Sequence, residues 1–261
     1  MKVIILAAGA SRRLGLNQPK SLIKISGKNL LEIQLNQLLK AGIKSEDINI
    51  VTGFKFQDFE YLKVKQILNN EYKNSHQIKS IFSCSSYINF ANEDILISYA
   101  DVLYESSIIS RLLNSKFDIT VPYLTDWKNI WRQRLNDYMS DVESFMIDKN
   151  NFLLEIGKPV LNSEPQGQFM GLSYFKNGSL EKLKKIVIYE SNRKSIDLNE
   201  IEFTTALNYL LINDVTVKTV PYSGIFNELD FPNDLKKLEK ILLENKFLID
   251  FEYLINSKII E

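Results

Sequence analysis

The sequence is poor in the residues that bind transition metals or cross-link a chain. It contains one cysteine, Cys84, and one histidine, His76. A single cysteine excludes a disulfide within the chain and a zinc site built from cysteines. One histidine leaves little material for a histidine-rich metal site or for a Ser-His-Asp triad. We therefore expect any catalysis to rest on other side chains.

Net charge and long apolar runs are also absent. Lysine and arginine together number 32, and so do aspartate and glutamate. This balance argues against bulk capture of nucleic acid or of an anionic membrane, although a local basic pocket remains open. No stretch approaches the ~20 apolar residues of a membrane span. The apolar run 3–8 is too short for a signal peptide, and Arg12 and Arg13 follow it. We expect a cytoplasmic protein with no nucleic-acid or membrane partner.

The remaining composition is that of a folded domain, with 45% hydrophobic residues in 261. Short apolar runs alternate with amphipathic stretches, which indicates βαβ crossovers. The fold class predicted is α/β: a Rossmann-like, mainly parallel mixed sheet between helices. The pattern predicts strands at 3–8, 47–52, 64–68, 94–99, 118–123, 169–175 and 215–220, and helices at 29–41, 75–86, 107–113, 180–188, 200–211 and 232–245.

The middle of the chain departs from this alternation. Segments 144–147 and 152–156 flank the polar turn "DKNN", which predicts an inserted β-hairpin lid. No linker or repeat interrupts the chain, so we expect one domain over 1–261, with an insertion at about 124–176. The apolar segment 247–260 indicates a packed tail or an interface helix, and a monomer and a homodimer are both compatible with it.

The opening stretch "MKVIILAAGASRRLGLNQPKSL" combines a strand, small residues and cations. Small residues between a strand and a helix let backbone N–H groups approach phosphate oxygens. Arg12 or Arg13 could reach the same oxygens, and Lys20 could return to them as a point charge. The stretch has neither the dinucleotide glycine fingerprint nor a Walker P-loop. An ordinary surface strand-turn-helix is the alternative interpretation.

"KVIILAAGASRRLG" followed by "QPKSL" resembles the signature of the nucleotidyltransferases that activate sugar phosphates, phosphocholine and phosphonates. In that superfamily the loop wraps a nucleoside triphosphate, and an arginine and a lysine bind its phosphates. The resemblance assigns these catalytic roles to Arg13 and Lys20. It assigns the nucleotide-binding loop to four residues: Leu6, Ala7, Ala8 and Gly9.

Carboxylates elsewhere suit the Mg²⁺ that accompanies a triphosphate, because Mg²⁺ prefers oxygen ligands. Asp101 follows a predicted strand, and the carboxyl ends of strands face the ligand crevice of an open α/β sheet. Glu228 and Asp230 lie two residues apart, so an extended segment points both the same way. A helix N-cap and a solvated loop are the structural alternatives. The resemblance includes an aspartate and a late Glu-x-Asp that serve Mg²⁺.

Further site residues follow from the same resemblance. The region near the base corresponds to Asn70, Ser75 and Ser80, while His76 is interpreted as an exposed loop residue. Trp127 and Trp131 fit either core packing or a ligand rim. The segment from 127 to 171 resembles the acceptor-side region of phosphonate and phosphocholine cytidylyltransferases. Its candidate acceptor residues are Trp131, Arg132, Arg134, Asp141, Glu143, Gln168 and Gly171.

These assignments predict a Mg²⁺-dependent cytidylyltransferase. It would transfer CMP from CTP to a small phosphonate or phosphocholine-like acceptor and release pyrophosphate. Arg132 or Arg134 could fork onto the acceptor's phosphoryl oxygens, and Asp141 and Glu143 could pair with an acceptor amine. A hydroxyalkyl phosphonate fits the pattern equally well. The alternatives are a sugar-1-phosphate nucleotidyltransferase, a non-catalytic nucleotide-binding protein and, last, an NAD-binding oxidoreductase.

Overall fold

The computed structural model describes residues 1–134, 137–160 and 164–260, apart from the side chain of Arg12. Within these residues it contains fourteen strands and eight α-helices. The strands are β1 (Lys2–Leu6), β2 (Lys24–Ile25), β3 (Lys28–Asn29), β4 (Ile48–Thr52), β5 (Lys65–Leu68), β6 (Ile95–Tyr99), β7 (Val102–Tyr104), β8 (Ile119–Leu124), β9 (Glu143–Ile147), β10 (Leu153–Pro159), β11 (Gln168–Phe169), β12 (Leu172–Phe175), β13 (Lys218–Tyr222) and β14 (Phe226–Glu228).

The helices begin and end where the local sequence favours it. Asn29 caps the first helix: its side chain accepts from the Glu32 N–H at 2.9 Å, and Glu32 accepts from the Asn29 N–H in return. Proline opens the seventh helix, where its missing N–H costs no hydrogen bond. The helices are α1 (Leu30–Lys40), α2 (Gln77–Ser83), α3 (Ser106–Leu113), α4 (Trp127–Arg134), α5 (Ser179–Lys194), α6 (Phe203–Ile212), α7 (Pro232–Glu244) and α8 (Glu252–Asn256).

One mixed sheet of eight strands organises the described part of the chain. Its order is β11–β8–β12–β6–β1–β4–β5, and β13 pairs with the remaining edge of β8. The pairs β1–β4, β1–β6, β4–β5 and β8–β13 are parallel, whereas β12 and β11 run antiparallel to their neighbours. The predicted Rossmann-like, mainly parallel sheet is therefore confirmed.

Helices cover both faces of the sheet. Successive residues of β1 point to opposite sides, so Ile5 packs in one core and Ile4 in the other. The first core contains the apolar side chains of α1, α3 and α8, and the second contains those of α2, α5 and α6. A strand buried on both faces explains why the opening run is apolar without alternation.

Two predicted strands differ from the observed ones. The single strand expected at 169–175 is divided into β11 and β12, because Gly171 between them adopts a positive φ of 67°. The late strand expected at 215–220 is shifted to Lys218–Tyr222. The other predicted strands and helices are present, with ends that differ by a few residues.

Three small antiparallel pairs lie outside the main sheet in the described ranges, and one of them joins β2 to β3. β9 and β10 form the predicted hairpin. β7 pairs with β14, so that Val102 lies opposite Glu228. The β7–β14 pair brings a segment near the end of the chain beside the residues that follow β6.

The C-terminal segment packs on the molecule's own core. Leu248, Phe251, Leu254 and Ile259 are buried in the core cluster that contains α1. Asn36 of α1 donates to the Asp250 carbonyl at 2.8 Å and accepts from the Leu254 N–H at 3.1 Å. Of the two sequence interpretations, the packed tail is confirmed. Across the described ranges, every helix is too short or too polar to span a bilayer.

Candidate active site

The loop that follows β1 is fixed to the end of β4 and borders open space at Gly9. It is anchored to β4 by the Ala7 N–H, which donates to the Val51 carbonyl at 2.8 Å, and the Phe54 N–H donates to the Ala8 carbonyl at 3.1 Å. A Cβ built on Gly9 would meet no atom within 4 Å, so the loop borders open space there. Ser11 adopts a positive φ of 53° and is 8% exposed.

Two connected cavities lie beside this loop. The small cavity, of about 210 Å³, lies between the loop and the start of α2. The large cavity, of about 520 Å³, extends from the loop past β14 to β9 and the start of α6. Both are lined by Gly9, Lys20, His76, Tyr99 and Asp101, so they form one continuous cleft.

Most of the residues predicted from the sequence line this cleft. The small cavity is lined by Leu6, Ala7, Ala8, Gly9, Lys20, Ser75, Ser80 and Asp101. The large cavity is lined by Gly9, Arg13, Lys20, Asp101, Trp131, Asp141, Glu143, Gln168, Gly171, Glu228 and Asp230. Three predicted residues line neither cavity: Asn70, Arg132 and Arg134.

In the structure, Asn69 rather than the predicted Asn70 contacts Ser75 and Ser80. Asn70 is exposed outside the cleft, whereas the Asn69 side chain is buried and donates to Ser75 Oγ at 3.1 Å and to Ser80 Oγ at 3.0 Å. Asn69 directly follows β5 and its Oδ1 accepts from the Glu71 N–H at 2.9 Å, whereas Asn70 already belongs to the turn that follows. Asn69 therefore holds the two predicted serines in place.

A lysine and two aspartates meet where the two cavities join. The Lys20 ammonium pairs with the Asp101 carboxylate and, at 2.6 Å, with Asp230 Oδ1. Burial alone would lower the pKa of Lys20, but the charges of Asp101 and Asp230 outweigh it and raise that pKa. The same ammonium counteracts the effect of burial on Asp230 and lowers the pKa of that carboxyl. These groups come from positions 20, 101 and 230, three residues that the resemblance singled out.

Strand pairing brings these distant residues together. Asp101 lies in the turn between β6 and β7, and the Leu229 N–H donates to the Asp101 carbonyl at 2.9 Å. Because β14 pairs with β7, the segment that carries Glu228 and Asp230 is fixed directly to the segment that carries Asp101. The Glu-x-Asp pattern thus reaches the end of a central strand, where ligands of open α/β sheets bind.

The donor set suits a hard divalent cation. Asp101 and Asp230 both contact one cationic nitrogen, so their carboxylates lie close enough to share a cation. Oxygen ligands of this kind match Mg²⁺. Within the described ranges, no group of three or more acidic, histidine or cysteine side chains converges as a metal site. Lys20 is placed between the two aspartates instead.

The arginines of the cleft differ in accessibility. Arg13 is 63% exposed and pairs with Asp230 at 3.3 Å and with Asp141 at 3.8 Å. Arg132 is exposed outside the cleft, with its guanidinium over the Tyr138 ring. Arg134 is fully buried and binds Asp234 and Glu228. We therefore correct the prediction that Arg132 or Arg134 positions the acceptor: of the described arginines, Arg13 is the one that lines the cleft.

The far end of the large cavity is acidic. Asp141, Glu143 and Glu202 line it together with the rings of Tyr99 and Phe169. Partial withdrawal from water, reinforced by the charges of Glu202 and Asp141, raises the pKa of Glu143. Withdrawal from water also raises the pKa of Asp141, although Arg134 opposes this effect. A site that raises the pKa of its own carboxylates favours a bound cation.

Neighbouring groups hold this acidic end in shape. Gln168 donates to the Glu143 carbonyl at 2.6 Å, and Trp131 Nε1 donates to the Asp141 carbonyl at 3.2 Å. Trp127 and Trp131 are 2% and 3% exposed, so both belong to the core. Trp131 also lines the large cavity, so the two interpretations of these tryptophans apply together.

Some cleft residues were not predicted as site residues. His76 is exposed, as expected, yet it lines both cavities and lies 3.8 Å from Glu202. Tyr99 is the last residue of β6, two positions before Asp101, and Glu202 immediately precedes α6. Both residues lie at the end of a strand or the start of a helix, and this position in the sequence could have indicated that they line the cleft. Gln77 also lines both cavities.

Comparison with known proteins relates this chain to nucleotidyltransferases. The family model of the MobA-like NTP transferase domain matches residues 3–134. A CTP:phosphoglutamine cytidylyltransferase of Campylobacter jejuni is 27% identical over 92% of this chain and 100% of its own length. A choline-phosphate cytidylyltransferase of Streptococcus pneumoniae is 24% identical, with 93% and 98% covered. A 2-aminoethylphosphonate cytidylyltransferase of Lancefieldella rimae is 25% identical, with 70% of each covered.

Solved structures share the fold. The inositol-1-phosphate CTP transferase of T. maritima superposes with a TM-score of 0.71 at 20% identity, covering 94% of this chain and 96% of its own. The predicted resemblance to the superfamily and to its phosphocholine and phosphonate branch is thereby confirmed, as is the predicted enzyme class. The chain belongs to the MobA-like NTP transferase family of nucleotidyltransferases.

Proposed function

We propose that this protein is a Mg²⁺-dependent cytidylyltransferase whose acceptor carries a phosphoryl or phosphonyl group at one end and a cationic nitrogen at the other. The observation that carries the reaction type is the Lys20 ammonium between Asp101 and Asp230, at the junction of the two cavities. One cavity lies beside the phosphate-binding loop, and the other has room for a second substrate. Their junction is where the two substrates would meet.

The reaction is an in-line displacement at the α-phosphorus of CTP. An acceptor oxygen forms a bond to that phosphorus, the bond to the bridging oxygen of the β-phosphate breaks, and pyrophosphate leaves with the electron pair. Asp101 and Asp230, with Glu228 beside them, would hold Mg²⁺, which would neutralise phosphate charge. Lys20 and Arg13 lie in the same cleft and would stabilise negative charge that develops on the triphosphate. No protein nucleophile is required, in agreement with the single cysteine and histidine.

The nucleoside would occupy the small cavity. The loop Ala7–Gly9 lies on one side, and Ser75 and Ser80 lie on the other. Because Asn69 positions both serines, their hydroxyls are available to a base edge at fixed places. Preference for cytosine rests on the named relatives, three of which are cytidylyltransferases. CTP and Mg²⁺ are cytoplasmic, so we place the reaction there.

The acceptor would occupy the large cavity with its cation toward the acidic end. Asp141, Glu143 and Glu202 attract an ammonium group, and aromatic faces add cation–π attraction. Choline phosphate and 2-aminoethylphosphonate, named for two relatives, each combine a phosphorus oxyanion with a nitrogen cation. A plain hydroxyalkyl phosphonate lacks the partner for these carboxylates. The geometry thus favours one of the options that the sequence left open.

A matrix of nucleotides and acceptors tests the proposal. Pyrophosphate release is measured with CTP, UTP, ATP or GTP against choline phosphate, 2-aminoethylphosphonate, phosphoglutamine, hydroxyethylphosphonate and sugar 1-phosphates. We expect release with CTP and a cationic acceptor. Release with a sugar 1-phosphate alone would identify the sugar-nucleotide alternative. CTP binding without release in any combination would identify a non-catalytic protein.

A pair of matched variants assigns the activity to this site. Asp101→Asn removes a charge at the junction of the cavities and should reduce turnover at least about 10²-fold. Asp126→Asn makes the same change outside the cleft, where the Asp126 carboxylate accepts a local hydrogen bond from Asn129. It should retain wild-type turnover. Equal rates in the two variants would remove Asp101 from the mechanism.

A further inference from the structure

One buried ion cluster lies directly behind the carboxylates of the cleft. Arg134, the last residue of α4, has a fully buried side chain. Its Nε donates to Asp234 Oδ1 at 2.9 Å and its Nη2 to Asp234 Oδ2 at 3.2 Å, while Nη1 binds Glu228. Asp141 lies 3.8 Å from the same guanidinium. One cation thus serves three carboxylates.

Aromatic rings complete the enclosure of this arginine. The guanidinium lies 4.9 Å from the centroid of the Trp131 ring and 5.9 Å from that of Phe231. Such stacking and the two-pronged contact with a carboxylate are properties of arginine that lysine does not reproduce. No face of the Arg134 side chain is left for a substrate, because it is 0% exposed.

Asp234 connects Arg134 to the segment that carries Glu228 and Asp230 through hydrogen bonds. It is the third residue of α7, and its carboxylate is fully buried. Asp234 Oδ2 accepts from the backbone N–H groups of Asp230 and Phe231, each at 2.9 Å. The carboxylate therefore receives four hydrogen bonds, two from the guanidinium and two from the backbone. A buried carboxylate with this many donors is held rigidly.

We propose that Arg134 and Asp234 are positioning residues that hold Glu228 and Asp230 in the geometry required for the divalent cation and for Lys20. The proposal rests on the proposed function for the role of the metal. Arg134 fixes the Glu228 side chain, and Asp234 fixes the backbone of Asp230. Groups that orient metal ligands in this way typically affect metal affinity or activity about 10- to 100-fold.

Two variants test the proposal without emptying the cluster. Arg134→Ala would leave buried carboxylates unpaired and could prevent folding. We therefore use Asp234→Asn, which keeps the shape, and Arg134→Lys, which keeps the charge but not the fork. Glu239→Gln, an exposed position on the same helix, is the control for loss of one negative charge.

The readout is Mn²⁺ affinity in the presence of CTP, measured by electron paramagnetic resonance, together with Mg²⁺-dependent kinetics. We expect Kd for Mn²⁺ to rise about 10- to 100-fold in Asp234→Asn and Arg134→Lys. The KM for the acceptor should stay within twofold of wild type, and a higher Mg²⁺ concentration should restore part of kcat. Glu239→Gln should match wild type in every measurement.

Several outcomes would overturn the proposal. Wild-type Mn²⁺ affinity in Asp234→Asn would mean that the cluster serves stability alone, even if the thermal midpoint falls. A raised acceptor KM in Arg134→Lys with unchanged Mn²⁺ affinity would return Arg134 to the acceptor. If the wild-type protein binds no Mn²⁺ with CTP and releases no pyrophosphate, the proposed function fails first and this inference fails with it.

Discussion

Lys20 combines two roles at the scale of single residues. Its ammonium pairs with both Asp101 and Asp230, and Lys20 lines both cavities. A divalent cation that binds the two aspartates must displace this ammonium. The phosphates of a nucleotide offer the displaced lysine a new anionic partner. We therefore expect metal and nucleotide to bind together rather than separately.

This coupling predicts a gain of metal affinity when the lysine is removed. In Lys20→Met, Mn²⁺ should bind without nucleotide at least about tenfold more tightly than in wild type, a change of about 1.4 kcal/mol. Turnover should fall about 10²- to 10³-fold, because a preorganised charge at the phosphates is lost. Electron paramagnetic resonance and pyrophosphate release measure the two effects. Lys24→Met, at an exposed position on β2, should change neither.

Glu143 should contribute to function at the expense of stability. Since the pKa of Glu143 is raised in the folded state, the ionised carboxylate is less favourable there than in the unfolded chain. Its contribution to stability is therefore lost as the pH rises through the folded pKa. Acceptor binding follows the opposite course and strengthens as the carboxylate ionises.

The variant Glu143→Gln separates these effects. At pH 7.5 its thermal midpoint should equal or exceed that of wild type, while KM for a cationic acceptor rises about tenfold or more. Glu155→Gln on β10 is the contrasting variant, because its hydrogen bond with Lys158 lowers the pKa of Glu155. It should not raise the midpoint or change KM. A lower midpoint in Glu143→Gln with normal KM would contradict the assignment.

The resemblance to the nucleotidyltransferase signature singled out most of the residues that line the cleft, but not every one correctly. Arg13, Lys20, Asp101 and Asp230 were named through that resemblance, and all four line the large cavity. The choice between Asn69 and Asn70 depends on the direction of one side chain, which no composition rule supplies. Arg134 has the charge expected of an acceptor ligand, and only tertiary structure shows that carboxylates surround it.

At the scale of elements, the β9–β10 hairpin packs closely against α6 at Gly157. Gly157 of β10 has a φ of 72°, and a Cβ placed there would lie 2.3 Å from the Cβ of Thr204. Thr204 lines the large cavity, and the Asn208 side chain of the same helix bonds to the Ile156 carbonyl. The fit between hairpin and helix therefore shapes the acceptor end of the cleft.

Adding one methyl group at Gly157 should distinguish the backbone strain of a positive φ from a steric clash with Thr204. Gly157→Ala and Gly42→Ala both place alanine at a positive φ, but a Cβ at Gly42 meets nothing within 4 Å. We expect urea unfolding to show Gly157→Ala about 1–3 kcal/mol less stable than Gly42→Ala. Gly157→Ala alone should raise the acceptor KM. Equal losses in the two variants would mean that the hairpin moves freely away from α6.

The elements themselves were predictable where periodicity was strong. The apolar run of β1 and the amphipathic pattern of α1 predicted their type correctly. The interruption at Gly171 was not predictable, because the turn is imposed by β11 and β12 pairing with opposite ends of β8. Long-range pairing of this kind leaves no signal in a local window.

At the scale of the whole molecule, the C-terminal segment packs on α1 and on the segment that contains Lys63. Leu254 is 0% exposed and packs in the core that contains α1, whereas Ile255 is 64% exposed. Beyond them, the Ile259 carbonyl accepts from the Lys63 N–H at 2.7 Å. The sequence showed an apolar tail, but it could not show which surface the tail covers.

Adjacent aliphatic residues provide a test of this packing. Leu254→Ala should lower the free energy of unfolding by about 2–5 kcal/mol, since it opens a cavity in the core. Ile255→Ala should change it by no more than about 0.5 kcal/mol. Thermal or urea unfolding of the two variants measures the difference. A large loss from Ile255→Ala would instead identify a contact between copies of the chain.

The position of Arg134 at the end of α4 determines where a chimera between this chain and a relative can be joined. Asp141, Glu143 and Gln168 of the proposed acceptor end follow α4 in the sequence, and the counter-ion of Glu228 and Asp234 is the final residue of that helix. A chimera that takes a foreign acceptor region beginning before α4 would lose this counter-ion unless the donor supplies its own. A junction placed after residue 134 would keep the catalytic charges balanced while specificity is exchanged.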